Sequence, residues 1–167
     1  MSSRALKAVV GAAMAAGFSL AAAPAHAAPG NTFDPVVWND LAETYMATGH
    51  YAYEPFAPAA GYTRNDTCAA DKTRGGMGYH YINKAYLNSL DPATPAALVY
   101  EDRAGGTRRL VAVEWAVKDT GQAAPTLFGQ TFRNDQKPGY YTLHAWIYKP
   151  NPEGLFAPYN PTVTCPA

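Results

Sequence analysis

The sequence predicts an α+β fold: a mostly antiparallel sheet, flat or curled into a partial barrel, with one N-terminal helix and long ordered loops. Three observations predict it. One early stretch, DPVVWNDLAETYMATGHY, repeats apolar residues at helical spacing. Three later stretches, AALVYE, RRLVAVEWAV and YYTLHAWIYK, carry the β-branched and aromatic residues that fit a pleated surface. The 14 glycines and 14 prolines crowd the segments between them, so the connections read as loops and not as further helices.

Taken in order, the chain starts with a targeting pattern. Arg4 and Lys7 precede an Ala-rich apolar run, Ala8 to Ala23, and APAHA then places Ala25 and Ala27 where a cleavage site has small residues. The run is shorter than the ~20 residues of a membrane-spanning helix. Residues 1–27 are therefore expected to be a signal peptide, and 28–167 a single exported domain of 140 residues. Residues 28–33 are expected to be a disordered lead-in. The helix follows, with Asp34 as N-cap, Pro35 at the first position and Gly49 as the stop. Val37, Trp38, Leu41, Tyr45 and Thr48 are its expected inward residues.

From Tyr53 to Gly76 the Pro and Gly content predicts a loop. MGYHYI is a short strand. NKAYLNSLDPATP connects it onward, with a helical turn near Tyr86 to Leu90. AALVYE and RRLVAVEWAV form a hairpin across DRAGGT. KDTGQAAPTLFGQTFRNDQKPG is a long excursion over one end of the sheet, and YYTLHAWIYK is the last strand. The tail has five prolines after Lys149 and cannot be a central strand. It is expected to wrap the body, pinned by Leu155, Phe156, Tyr159 and Cys165.

Charge and cysteines bound the function. Without the leader, eleven basic groups face thirteen acidic ones, so no basic patch favours a nucleic acid, and no span remains to hold a membrane. Cys68 and Cys165 are the only cysteines; in an oxidising compartment they are expected to form one disulfide, and no Cys-x-x-Cys spacing suggests a metal site. The expected location is secreted, extracellular or in the cell envelope. Ser89 is the only serine beyond the leader and lies in no nucleophile elbow. No phosphate-binding glycine motif is present.

The chemistry-bearing residues are His80, Glu114 and His144. Each lies in the middle of an expected strand. Alternation puts Glu114 on one face with Ala112 and Ala116, and His144 with Thr142 and Trp146. A carboxylate inside an apolar strand must meet solvent, a cation or a polar cavity. Two imidazoles and a carboxylate form a ligand set for zinc or iron with an open coordination position, so the candidate cofactor is a divalent transition metal. The same groups would serve as a metal-free acid–base pair. The bland alternative has Glu114 facing solvent or Arg108 or Arg109, with structural histidines. His50, at the helix end, suits a dipole-capping role better than a fourth ligand position.

Tyr79, Tyr81 and Trp146 are candidate ligand-binding residues, although alternation turns both tyrosines away from His80. The function expected is binding of a metal or small molecule in a His/Glu pocket. The alternative is an aromatic surface that binds glycan, cell wall or protein without catalysis. Whether the chain is an enzyme stays open at this point.

The strings GGMGYHYIN, LVAVEW, LFGQTF and LHAWIYKPNPEGLFAPYNPTVTC resemble a family of exported bacterial proteins of uncharacterised function. The shared pattern is MGYHY, LFG, H-x-W and N-P-x-G-x-F-x-P-x-N-P before a final cysteine. It spans Cys68 to Cys165 and includes Met77, Gly78, His80, Glu114, His144 and Trp146. The chain departs at Asn83-Lys84, where the pattern has Asn-Pro. The resemblance implies export and a bridged single domain; it implies no reaction.

Overall fold

A computed structural model describes residues 34–166. The expected leader and lead-in lie outside the described residues. The described chain is α+β and mostly sheet. Helix α1 (Pro35–Thr48) continues into a 3-10 turn, Gly49–Ala52, and a one-turn helix α2 (Phe56–Ala59) follows. The strands are β1 (Cys68–Asp71), β2 (Gly75–Ile82), β3 (Ala97–Asp102), β4 (Arg108–Lys118), β5 (Thr126–Leu127), β6 (Gln130–Thr131), β7 (Arg133–Lys137) and β8 (Tyr140–Ala145). Six of them form one antiparallel sheet in the order β1-β2-β3-β4-β8-β7, curled into a half-barrel, while β5 and β6 make a small second sheet.

Helix α1 forms where the sequence places it. The Asp34 carboxylate accepts the Val36 N–H at 2.9 Å, which satisfies one of the donors a helix start leaves open. Its inward face keeps Val37, Leu41 and Thr48 of the expected set, adds Thr44 and loses Trp38 and Tyr45. Leu41, Thr44 and Thr48 are buried, whereas Trp38 and Tyr45 are about half exposed. Thr44 reaches out of the helix to the Pro92 carbonyl at 2.8 Å, and Thr48 meets the Tyr148 hydroxyl at 2.7 Å. These polar ties replace apolar contacts that periodicity alone would assign. Gly49 is no left-handed stop; it keeps right-handed helical backbone and carries the chain into the 3-10 turn.

The core lies on the face of the sheet toward α1. Tyr81, Leu98, Tyr100, Val113 and Trp115 are fully buried there, with Leu41 of α1 and Tyr62 of the following loop. The Tyr62 and Tyr100 hydroxyls donate to the carbonyls of Pro95 and Tyr51, so each ring is buried without leaving its polar tip unpaired. A smaller cluster, Val99, Val111, Ala112, Trp146 and Val163, occupies part of the other face.

Two segments read as loop contain strands. β1 is a four-residue edge strand, and β7 is a polar one. The last strand ends at Ala145, earlier than expected. Beyond it the Trp146 N–H turns to the Leu155 carbonyl at 2.9 Å. The tail does wrap the body: Gly76 and Asn160 exchange backbone hydrogen bonds of 3.2 and 2.9 Å, and Cys165 is bonded to Cys68. Gly76 is needed there, since a Cβ would come within 2.6 Å of the Val163 carbonyl oxygen. Among the described residues no helix is long and apolar enough to cross a membrane.

Candidate functional site

The site is built from three central strands. On β4, Glu114 pairs across the ladder with Ala97 of β3 on one side and His144 of β8 on the other. On β2, His80 pairs with Val99, two residues from Ala97 and on the same face. The intervening Ala97 and Ala112 are small, so the His80 ring reaches across β3 to Glu114. Strand alternation thus delivers all three side chains to one face of the sheet, opposite the helix-covered core.

The distances are short. The two Nε2 atoms of His80 and His144 lie 3.2 Å apart. Glu114 Oε2 is 3.5 Å from His80 Nε2, and Glu114 Oε1 is 3.7 Å from His144 Nδ1. One ligand atom from each residue falls within 4.8 Å of the others. His144 is 2 % exposed. The side chains of Glu114 and His80 are 12 % and 14 % exposed. Behind His144 the Trp146 indole lies nearly parallel, with ring centres 6.1 Å apart, and its N–H donates to the Ala157 carbonyl at 2.6 Å.

The electrostatics are unusual for a sheet interior. Burial pushes the His144 imidazole down to about 4; Glu114 opposes the shift and His80 adds to it. His144 is therefore neutral at pH 7, the form that binds metals. Among the described residues no donor comes within hydrogen-bonding distance of the Glu114 carboxylate; its nearest partners are the imidazole nitrogens at 3.5 and 3.7 Å. A mostly buried carboxylate without donors is costly unless a cation joins it. Four-coordinate zinc with bonds of about 2.0–2.1 Å sets neighbouring ligand atoms roughly 3.3 Å apart. Two edges of the ligand triangle, 3.2 and 3.5 Å, fit that spacing, and the third, between His144 and Glu114, lies within 4.8 Å. Two nitrogens and one carboxylate leave a position open, where a metal would polarise a bound oxygen or activate water.

A cavity of about 220 Å³ opens beside the cluster. It is bounded by Thr67 and Ala69 from the β1 side, Met77, His80 and Glu114 from the sheet, and Gln136 and Lys137 from β7. A second cavity of about 170 Å³ shares Ile82, Glu114 and Lys137 with it and adds Lys84 and Tyr140. The two sheet edges, β1 and β7, thus wall the space over the cluster.

Sequence reasoning placed His80, Glu114 and His144 together, and the structure brings them together. Arg108 and Arg109 do not pair with Glu114. Arg108 donates to the Tyr81 hydroxyl at 2.7 Å and stacks on the Tyr79 ring at 3.5 Å; Arg109 pairs with Glu101. Tyr79 and Tyr81 lie in the core on the other face, with their hydroxyls donating to Asp102 at 2.6 Å and Glu54 at 2.5 Å. Trp146 is buried behind His144. His50 packs at a tilt against Tyr51, ring centres 3.9 Å apart, outside the cluster.

Gln136 and Lys137 were missed by sequence reasoning. Their signal was Pro138-Gly139, a turn pair that folds β7 back on β8 and sets Lys137 opposite Tyr140. No known family, curated protein or solved structure matches the chain.

Proposed function

We propose that the protein is an exported, disulfide-bridged domain that binds one divalent transition metal through His80, Glu114 and His144, leaving a coordination position open to the cavity. The observation that carries this reading is the Glu114 carboxylate, mostly buried, with two imidazoles at 3.5 and 3.7 Å and no closer hydrogen-bond donor among the described residues. The neutral state of His144 and the 3.2 Å separation of the two Nε2 atoms support it. Zinc and ferrous iron are the metals this donor set suits best. The disulfide supports an oxidising location.

The aromatic-surface alternative has weaker support. Two of the aromatic residues it drew on, Tyr79 and Tyr81, hold the core together, and Trp146 is only 3 % exposed.

The test is elemental analysis of the protein secreted from a bacterial host without a histidine tag, followed by metal titration. Near-stoichiometric zinc or iron is expected. Glu114→Gln and His80→Ala should each weaken binding by roughly a hundredfold or more, beyond the loss typical for an outer-shell partner. Retention of the parent affinity in both variants would overturn the reading.

A further inference from the structure

We propose that the cavity beside the cluster binds a small hydroxycarboxylate, with Lys137 and Gln136 as its anchors on β7. The net positive charge of the space and the ligand's second anchor, at the open coordination position, rest on the metal reading above; the Lys137 and Gln136 anchors do not.

Size gives the first constraint. About 220 Å³ holds roughly seven waters at their liquid volume, so it suits a molecule of similar heavy-atom count. Charge gives the second. Among the lining residues of the larger cavity only His80, Glu114 and Lys137 have ionisable side chains. Lys137 makes no ion pair among the described residues, and its Nζ lies 5.9 Å from the Tyr140 ring centre. Lys84 joins it on the wall of the adjoining cavity. A divalent cation on neutral imidazoles and one carboxylate, beside these lysines, leaves the space net positive and suited to an anion.

Hydrogen bonding gives the third constraint. The Gln136 side-chain amide is buried, and its Oε1 has no partner among the described residues. Its N–H₂ leans on the Asp135 carboxyl and helps hold it below the usual range, after the larger effect of Arg133. Leaving a buried acceptor unpaired costs about 1–3 kcal/mol. The β7 register slips between Arg133 and Lys137, and this irregularity places Gln136 on the cavity wall. Turning the amide into the cavity offers an N–H₂ to a carboxylate and a carbonyl to a hydroxyl. A simple acid uses only the first. A hydroxy acid uses both, and its carboxylate also meets the Lys137 ammonium.

The experiment is calorimetric titration of malate into the secreted protein, zinc-loaded and zinc-free, with succinate as the analogue lacking the hydroxyl. Zinc affinity is measured in parallel for Lys137→Met and Gln136→Leu. Malate should bind the loaded protein more tightly than succinate. Each variant should lose about tenfold in malate affinity while zinc affinity stays within about threefold. Zinc binding without malate binding overturns the inference and leaves the metal reading standing. Malate affinity equal in parent and variants overturns it too, because chelation alone then explains binding. Equal affinity for succinate overturns the hydroxyl assignment. Variant-sensitive malate binding by a protein that takes no zinc supports the cavity and overturns the metal reading. Binding of neither overturns both.

Discussion

Glu114 was legible as a functional candidate because an ionisable group in VAVEWAV has few places to go. His144 shows what burial then does to its neighbour. With its imidazole held down near 4 against an ordinary value of 6.5, the folded state resists a proton that the unfolded chain accepts. Between these two values the unfolded state binds more protons, so stability falls as pH drops from about 6.5 to about 4 and levels off below. The loss for the metal-free protein should be about 3 kcal/mol. Asp71 and Asp135, partly exposed and held below the ordinary carboxylate range, lose their contribution mainly below about pH 4, under this window. Urea unfolding of metal-free protein from pH 7 to about 4 should show the slope in the parent and a flatter profile in His144→Gln. Parallel profiles would mean that His144 is not the titrating group. What the sequence hid at this scale was Gln136, an amide in the polar run RNDQK with no apolar neighbours to mark it as strand.

Among the elements, β2 carries the most constraint. Its Gly78 has φ +106, and a Cβ there would stand 2.4 Å from the Tyr100 carbonyl oxygen of β3. Gly78→Ala should therefore cost roughly 3 kcal/mol or more, combining backbone strain with a clash against a fixed main chain. Gly105, at φ +89 in the β3–β4 hairpin loop, has nothing within 4 Å, and Gly105→Ala should cost only about 1 kcal/mol. Chemical denaturation of both variants checks the contrast; similar losses would mean that β2 and β3 do not pack this closely. The same comparison explains which elements could be read in advance. β3, β4 and β8 stand out because their residues are apolar, β-branched or aromatic, as suits buried strands. β1 and β7 are short or polar edges, and period-two patterning fails where one face is wet and the other lines a cavity. Turn chemistry carried more than was used. Asp71 accepts the Thr73 and Arg74 N–H groups at 2.9 and 3.0 Å, so DKTRG is a hairpin turn written in side chains.

At the scale of the molecule, two long-range ties hold the half-barrel: the β-ladder and the returning tail. The disulfide joins residues 97 apart in sequence, and the tail also pairs with Gly76, buries Val163 and accepts Lys149 Nζ on the Thr162 carbonyl at 2.7 Å. The proposed metal ligands depend mainly on the first tie, since β2, β3, β4 and β8 are consecutive in the ladder, while the tail touches the cluster through Gly76 of β2 and through Trp146 behind His144. Stability and metal binding should therefore separate. Replacing Cys68 and Cys165 together by Ser removes a loop constraint of about 4–5 kcal/mol, which should lower the Tm by roughly 15 °C. Metal affinity at a temperature where the variant is folded should stay within about threefold of the parent, because the ladder still sets His80 and His144 on either side of Glu114. Malate binding should weaken more than metal binding, since Thr67 and Ala69 of the cavity wall flank Cys68 on the edge that the bridge secures. Calorimetry on the double variant reads both affinities. A collapse of metal affinity with the bridge would mean that the tail, and not the ladder, holds the three ligands in place.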